Sequence, residues 1–546
     1  MNQSRLYRFF EIIPGFLAWL TIILIFFLSW LTPATMAIFI ILFDIYWLLK
    51  TIYLSFHLRA SFKKMKNNLK IDWFEKLKER ERSLASAKSV SEAERAGLVA
   101  KSDQSEAESQ GARILTDFSQ NPLGRETPSF REARLSDIYH LIILPMYKEP
   151  YEVVKESFES LIKTNYPKDK FIVVLATEER GGETAQNVSQ KIQQEFGAQF
   201  FKFLITTHPI NIVGELPGKG SNQAWGTKEI KRLVLDPFKI PYENILTSVF
   251  DIDTQVLPDY FNRLTYVFLT CENPQRSSFQ PIPFFTNNIF QAPALGRVIA
   301  FSSTFWQMMQ QSRPERLTTF SSHSMPFKAL MEIGFWNTDI VSEDSQIFWQ
   351  CYLHYNSDWR VESLFYPVSM DSNVAPSFWQ TMINLYKQQR RWGWGCENIP
   401  YMLKGFKNNK QIAFSKKIYW AFNSIEGFHS WATNALIIFA LGWLPLVLGG
   451  DDFRFTLLSY NLPQITRFIM ALAMFGIITS AILSVILLPP KPDWFKKRHY
   501  LFYFFQWALM PITLIIFGAF PGLEAQTRLM LGGKFRLGFW VTPKHR

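Results

Sequence analysis

The chain has 546 residues, of which 48% are hydrophobic, 16% are aromatic and only 19% are charged. It is longer than one core of about 100–200 residues requires, so at least two structural units are expected. The composition is too apolar for a soluble multidomain enzyme and indicates membrane association. A net charge of +12 does not indicate nucleic-acid binding, because many basic residues flank hydrophobic segments, where they would meet anionic headgroups. The three cysteines lack the spacing of a disulfide framework or a zinc site.

Two hydrophobic segments begin the chain. Residues 14–31 contain no charged side chain, and residues 34–56 follow after a short break. Each is long enough to cross a hydrocarbon core of about 30 Å as a helix. The pattern predicts a transmembrane hairpin over residues 1–57 rather than a cleaved signal peptide. Asp44 lies inside the second segment. Because a carboxylate facing lipid is costly, we expect Asp44 to face a neighbouring helix or a polar cavity.

The hydrophobic segments of the C-terminal part are less simple. Three uncharged stretches occupy residues 427–450, 468–490 and 500–523. Basic residues on both sides of the N-terminal hairpin put the large middle part in the cytoplasm by the positive-inside rule, at the inner face of the cell membrane. The basic tail over residues 524–546 also favours the cytoplasm, yet three spans would put it outside. Either the third stretch is not a simple span, or the count is wrong.

The middle of the chain changes character twice. Residues 58–134 are rich in charged and small residues and are predicted to be a solvated helix or a partly disordered linker. Within residues 135–374, short apolar runs alternate with helix-like stretches, which predicts an α/β domain whose parallel sheet is covered on both faces. An amphipathic helix follows in residues 375–415, and transmembrane helices are expected over residues 416–523.

Polar side chains follow three of the predicted strands, at the edge where such sheets bind ligands. These are Tyr147 and Glu149 after the first strand, Glu178 and Glu179 after the second, and Asp251 and Asp253 after the fourth. The two aspartates stand two apart at the end of a predicted extended strand, so they are expected to point the same way. Their oxygens suit Mg²⁺ or Mn²⁺, which often bridge protein carboxylates and a diphosphate. An exposed acidic turn is the alternative for an isolated pair.

Two further segments carry candidate residues. Lys219 lies between two glycines and could neutralise phosphate oxygens, although an ordinary turn is an equal alternative and the spacing is not that of a Walker A loop. Glu343 and Asp344 begin a predicted helix, with Ser342 as a possible cap. Acids at a helix N-terminus stabilise the dipole without any catalytic role, but one of them can also accept a proton from a substrate hydroxyl.

The amphipathic helix contains Gln388, Arg391 and Trp392. A helix that merely lies in the membrane interface is one interpretation. In the other, Arg391 faces a diphosphate and Trp392 forms a platform for a sugar ring.

Together these residues resemble the membrane-embedded glycosyltransferases of family 2, which include cellulose synthase catalytic subunits, hyaluronan synthases and chitin synthases. The resemblance covers about residues 139–400 and the flanking membrane segments. It implies an α/β domain of the glycosyltransferase A type, with a Rossmann-like mixed sheet, joined to α-helical transmembrane segments.

The resemblance assigns a role to each candidate. Asp251 and Asp253 match the DxD pair for metal and diphosphate, Asp344 beside Glu343 matches the base of the TED motif with Ser342 in place of threonine, and Gln388, Arg391 and Trp392 match QxxRW letter for letter. Lys219 resembles the lysine of the nucleotide-binding loop, and Tyr147 and Glu149 lie where the first strand end meets the nucleotide. Glu178 or Glu179 stands where the family commonly has an aspartate for uracil.

The resemblance implies an inverting transferase that uses Mg²⁺ or Mn²⁺. Its expected partners are a nucleotide-sugar donor, UDP-linked by preference, a growing polysaccharide and the membrane, with translocation of the product as a further possibility. Transfer of a single sugar to a lipid carrier remains an alternative. A membrane protein that senses nucleotides without catalysis is a third reading, which the presence of a candidate base disfavours.

Overall fold

The computed structural model of the protein describes residues 5–100 and 133–544, and it describes side chains in these ranges except in residues 87–100. Three helices come first: α1 (Arg5–Leu31), α2 (Pro33–Asn68) and α3 (Trp73–Ala100). α2 therefore continues past the boundary that the sequence predicts at residue 57. The predicted linker is helical up to Ala100, and its remainder to residue 132 lies outside the described residues.

An α/β domain follows. Its strands are β1 (Tyr139–Pro145), β2 (Phe171–Glu178), β3 (Lys202–His208), β4 (Ile245–Val249), β5 (Gln255–Val256), β6 (Ser277–Phe285), β7 (Ser324–Pro326) and β8 (Arg360–Met370). Its helices are α4 (Tyr151–Ile162), α5 (Gly182–Phe196), α6 (Lys219–Ile230), α7 (Tyr260–Thr270), α8 (Ala294–Gln311), α9 (Phe327–Glu332) and α10 (Glu343–His354).

The strands form one mixed sheet in the order β3-β2-β1-β4-β7-β6-β8-β5. β3, β2, β1 and β4 are parallel neighbours, as the alternation of apolar runs and helices predicts. β7 pairs antiparallel with both β4 and β6, and β5 pairs antiparallel with β8. The mixed sheet of the predicted fold class is confirmed, and the carboxyl ends of β1, β2 and β4 meet at one edge.

The centre of the sheet is buried on both faces, which explains why β1 reads as a continuous apolar run. Ile142 and Leu144 pack into a core with α4, α5 and α7. Leu141 and Ile143 point the opposite way and pack with α6, α9 and α10. This alternation follows from the two-residue period of a strand and fixes which polar residues reach the sheet edge.

The rest of the chain is helical. The helices are α11 (Phe378–Gly393), α12 (Asn398–Asn408), α13 (Phe414–Phe439), α14 (Leu444–Leu448), α15 (Gly450–Arg454), α16 (Leu457–Ile486), α17 (Lys497–Phe505), α18 (Met510–Leu514) and α19 (Phe520–Leu531). Four described helical stretches are long and apolar enough to cross a membrane: α1, α2, α16 and Lys497–Leu531. A fifth is possible if α13 and the bent continuation Leu441–Leu448 count as one span.

Asp44 confirms the expectation made for it. The residue is 3% exposed, and its Oδ2 accepts a hydrogen bond from the Thr466 hydroxyl of α16 at 3.0 Å. A carboxylate inside an apolar helix thus faces a neighbouring helix rather than lipid.

The stretch Lys497–Leu531 contacts the α/β domain and α11 at several points along its length. Near its start, Arg297 Nε of α8 donates to Gln506 Oε1 at 2.8 Å. Phe517 then packs with Leu385 of α11, and the Glu524 carboxylate pairs with Arg390 Nη1 at 2.7 Å. The stretch therefore contacts the domain along much of its length, and the basic tail that follows it contacts the domain through Lys544 and Asp253.

Candidate active site

Lys219 joins two of the predicted sites. It is the first residue of α6, and its Nζ lies 2.6 Å from Asp251 Oδ1 and 2.7 Å from Asp344 Oδ2. The Glu343 carboxylate is also near, at 3.9 Å. Although burial opposes it, these carboxylates raise the pKa of Lys219 well above its ordinary value. Asp251 of the DxD pair and the candidate base Asp344 therefore lie in one site, because both contact the same ammonium group.

The DxD pair does not have the geometry that the sequence predicts. β4 ends at Val249, and residues 251–254 form a turn in which Thr254 N donates to Asp251 O at 2.8 Å. The prediction of an extended strand end is wrong, because β4 ends before the pair and the chain turns to start β5. Asp251 instead accepts from Lys219 and from the Ser321 hydroxyl at 2.8 Å. Burial would raise its pKa, but Lys219 and Lys544 hold the pKa of Asp251 well below its usual range.

Asp253 is fully buried and meets a cation from the far end of the chain. Lys544 Nζ lies 2.5 Å from Asp253 Oδ2, which also accepts from Asp371 N at 2.9 Å. Asn287 Nδ2 bridges Asp253 O and Asp371 Oδ1, each at 3.0 Å. Burial and the neighbouring Asp253 raise the pKa of Asp371 to about 7. Burial raises the pKa of Glu149, and the charges of Lys544 and Asp253 also act on its carboxylate.

The two acids at the start of α10 are not equivalent. Glu343 is 2% exposed, and burial together with the charge of Asp344 raises the pKa of Glu343 to about 8. At neutral pH Glu343 is thus protonated, whereas Asp344 contacts the Lys219 ammonium group at 2.7 Å. The positive charges of Lys219 and Arg391 partly oppose this rise in the pKa of Glu343. Arg391 therefore lies close enough to act on the site electrostatically.

Ser342 does not cap α10 with its side chain, so that prediction is wrong. Its hydroxyl donates instead to Glu397 Oε1 at 2.7 Å. Glu397, on the segment between α11 and α12, binds the Ser342 hydroxyl, so this hydroxyl does not bind the amide groups at the start of α10.

All three QxxRW residues lie on α11, and Arg391 also contacts the tail. Gln388 and Trp392 line a small cavity together with Asp371. The Trp392 ring contacts Phe285 and Phe320, with ring centroids 5.8 and 5.9 Å away. The Arg391 guanidinium lies 5.3 Å from the centroid of the Phe539 ring.

The ends of β1 and β2 also meet. Glu178 is 5% exposed, and both of its carboxylate oxygens accept from Arg180. The Arg180 guanidinium in turn covers the Tyr147 ring at 4.5 Å from its centroid, while Tyr147 N donates to Glu149 Oε2 at 2.7 Å. Glu179 points elsewhere and accepts from Ile210 N at 3.0 Å. Of the two glutamates, Glu178 is therefore the one tied to the first strand end.

Several residues of the site were not predicted, and Lys544 is the most unexpected. The tail reaches the site through Phe539, whose ring packs so close to Gly218 that a Cβ on this glycine would lie 2.6 Å from Phe539 Cγ. A second tail contact is made by Lys387, 5.6 Å from the Trp540 ring centroid. The sequence signal for this contact is the pair of aromatic residues, Phe539 and Trp540, within the basic tail. Nothing in the local sequence marked Asp371, Ser321 or Glu397.

Asp251 and Asp253 can offer carboxylate oxygens to a divalent cation, but the described residues contain no group of three or more His, Cys, Asp or Glu side chains placed to hold one. Asp253 Oδ1 is buried and accepts no hydrogen bond within the described part of the chain, so an acceptor oxygen is left for a ligand. The other oxygen of this carboxylate already contacts a cationic group, Lys544. Asp251 supplies a second carboxylate whose pKa favours the ionised form that metals require.

The comparisons with known proteins agree with this architecture. The family model described as Glycosyl transferase family group 2 matches residues 247–520, about half of the chain. Among curated proteins, no relative matches the sequence. The chain belongs to glycosyl transferase family group 2, and it is a glycosyltransferase.

Two solved structures show limited similarity to this chain. The mannosyltransferase PcManGT from Pyrobaculum calidifontis, in complex with GDP-Man and Mn²⁺, is 11% identical over 67% of this chain and 94% of its own, with a TM-score of 0.37. S. aureus TarS 1–349 in complex with UDP-GlcNAc is 11% identical over 63% of this chain and 90% of its own, with a TM-score of 0.34.

The contact between Lys544 and Asp253 leads to a prediction about metal affinity. Replacing Lys544 by methionine should tighten Mn²⁺ binding to the nucleotide-free protein about tenfold, equivalent to about 1.4 kcal/mol, because the ammonium group no longer competes for the carboxylate. Mn²⁺ titration of the purified full-length protein measures this directly. Lys534→Met, which removes an exposed charge elsewhere in the tail, is the matched control. Equal affinities in all three proteins would show that the ammonium does not compete with metal.

Proposed function

We propose that the protein is an inverting glycosyltransferase that moves a sugar from a nucleotide-sugar donor, UDP-linked by preference, to a growing polysaccharide. The single observation that carries the proposal is the contact of one ammonium group, Lys219, with both Asp251 of the DxD pair and Asp344 at the start of α10. The donor diphosphate and the acceptor hydroxyl would then bind within a few ångströms of one another.

Each residue has a defined task in this proposal. Asp344 accepts the proton of the acceptor hydroxyl as the hydroxyl oxygen attacks the anomeric carbon, and the nucleoside diphosphate leaves from the opposite face. Lys219 and Arg391 stabilise the negative charge that develops on the diphosphate. Asp251 and Asp253 would hold Mg²⁺ or Mn²⁺, which supplies charge stabilisation to the leaving group when bound.

The surrounding residues bind the donor and orient the acceptor. Tyr147, Glu149 and Glu178 lie at the ends of β1 and β2, where the nucleoside would bind. Glu178 is a better candidate than Glu179 for contacting the nucleobase, because Arg180 links Glu178 to the Tyr147 ring. Trp392 and Gln388 line the cavity on the α11 side, where an acceptor sugar would lie against an aromatic face.

We infer that α1, α2, α13 with its bent continuation, and α16 cross the cell membrane, and that the α/β domain lies on its cytoplasmic face. The basic residues in the C-terminal part of α2 and in the tail support this side. A polysaccharide made at this face would have to cross the membrane, which the helices could assist.

Product length tests this proposal against transfer of a single sugar to a lipid carrier. Membranes that contain the protein are incubated with a set of labelled nucleotide sugars and a divalent cation, and the products are separated by size. A ladder or a high-molecular-weight polymer is expected. Lipid products that carry one sugar, with no larger species, would exclude polymerisation while leaving glycosyl transfer intact.

A further inference from the structure

Glu397 is a buried acid that the reaction described above does not use. It lies between α11 and α12, five positions after Trp392 in the sequence. Its Oε1 accepts the N–H groups of Val341 at 3.1 Å and Ser342 at 2.8 Å, and also the Ser342 hydroxyl at 2.7 Å. Its Oε2 accepts the indole N–H of Trp394 at 2.8 Å. One carboxylate thus gathers four donors, three of which belong to the segment that precedes Glu343.

Val341 and Ser342, which Glu397 binds, directly precede the first residue of α10. The Ser342 carbonyl accepts from Gln346 N at 2.9 Å and from Ser345 N at 3.2 Å, so it closes the first turn of the helix. A second contact ties the same turn to α12, because Asn398 Nδ2 donates to Ser345 Oγ at 2.8 Å. Asp344 lies inside this turn, between the residues that these two contacts hold.

The chemistry of the contacts requires a carboxylate. The backbone and indole N–H groups can only donate, and an ionised carboxylate is a side chain that only accepts. A glutamine at this position would place its own N–H₂ group against either the two backbone amides or the indole. In a buried position, such an unmatched pair of donors is costly. Burial raises the pKa of Glu397, while the Ser342 and Trp394 donors act in the opposite direction and favour the ionised form.

We propose that Glu397 is a positioning residue that fixes Asp344 relative to α11, the helix that carries Arg391 and Trp392. The inference deepens the proposed function, because it rests on Asp344 being the base. Glu397 touches neither donor nor acceptor. Its effect is to keep the base, the diphosphate-binding arginine and the acceptor platform in one geometry, since the start of α10 and the end of α11 are joined through one side chain.

The test is Glu397→Gln in the full-length protein with its nucleotide-sugar donor. A displacement of a catalytic group by about 1 Å can reduce the rate about a hundredfold, so kcat is expected to fall by about that factor. The KM for the donor should not change, because Asp251, Lys219 and the first strand ends are untouched. A residue that only stabilises the fold would lower the melting temperature and the fraction of active protein, so kcat is calculated per nucleotide-binding molecule; a purely structural role would then leave this corrected kcat unchanged.

A second variant separates positioning from general damage. In Glu397→Gln/Trp394→Phe the indole donor is gone, so the glutamine can turn its oxygen to Val341 and Ser342 without a clash of donors. Most of the lost kcat should return. Trp394→Phe alone shows the effect of the smaller ring, and Trp359→Phe, at a buried tryptophan in the core that contains Ile143, controls for a cavity elsewhere.

The outcomes distinguish this inference from the proposed function. If the wild-type protein turns over no nucleotide sugar, the proposed function fails. If the wild type is active and Glu397→Gln keeps its kcat, the positioning role is wrong and the proposed function stands. If Glu397→Gln does not fold, the double variant decides: a folded double variant with wild-type kcat supports the role, and one that stays about a hundredfold slower contradicts it.

Discussion

Replacing Asp344 by asparagine is expected to reduce sugar transfer by about a thousandfold, within the range that loss of a general base produces. Asparagine has nearly the same shape but cannot accept the proton of the acceptor hydroxyl. Binding of the donor should persist, because the Asp251 contact with Lys219 and the strand-end residues is retained. The rate is measured as incorporation of labelled sugar, and donor binding is measured separately by titration with the nucleoside diphosphate. Undiminished transfer by this variant would remove Asp344 as the base.

Glu343→Gln is the matched control for this prediction. Because burial raises the pKa of Glu343 to about 8, the residue is protonated at neutral pH, and glutamine mimics that form. The variant should therefore keep most of the activity at pH 7. As the pH rises through about 8, the wild-type Glu343 ionises and adds a negative charge beside Asp344, which should weaken diphosphate binding. The alkaline loss of activity is expected in the wild type and should be smaller in Glu343→Gln. Equal inactivation by the two substitutions would mean that both acids act in the reaction.

Replacing Lys219 by methionine is expected to destabilise the protein and to abolish transfer. The ammonium group is mostly buried, with a side-chain exposure of 11%, and it pairs with Asp251 and Asp344, which are less than a third exposed. Removing one partner of a buried ion pair leaves uncompensated charge and costs roughly 3–5 kcal/mol. The unfolding midpoint of the detergent-solubilised protein and its transfer rate measure the two effects.

A double-variant cycle tests whether the loss comes from the ion pair itself. Lys219→Met/Asp344→Asn removes a positive and a negative charge together, so its stability should exceed the value expected from adding the two single effects. Purely additive effects would show that Lys219 and Asp344 do not interact energetically. The cycle concerns stability, and transfer should stay at least about a thousandfold below wild type in every variant that lacks Asp344.

The sequence predicts the elements of the α/β domain well because their signals are local. The apolar run that forms β1 and the polar residues after β1, β2 and β4 follow from strand periodicity and from the edge where parallel strands end. The family resemblance then brought Asp251, Lys219 and Asp344 into one proposed site, and the contacts of Lys219 bring the same three residues together.

What the sequence could not predict depends on contacts between distant segments. Ser342 was expected to cap α10 because that preference is local, but Glu397 competes for its hydroxyl from a segment that only the fold brings near. In the same way, the DxD pair was expected to be extended, whereas the chain must turn there to start β5. Lys544 is 291 residues away from Asp253, and no local pattern links them. Such contacts depend on the tertiary structure, which overrides local preference.

The most direct test of the central claim is metal-dependent turnover of a nucleotide sugar by the purified protein. Release of nucleoside diphosphate and incorporation of the sugar are measured together across a panel of donors, with Mn²⁺ or Mg²⁺, with chelator, and with Asp253→Asn. The account predicts turnover of at least one donor that requires the metal, yields equal amounts of the two products when acceptor is present, and is lost in the variant. No turnover of any donor by a folded protein that still binds nucleotide would contradict it and would favour a nucleotide sensor.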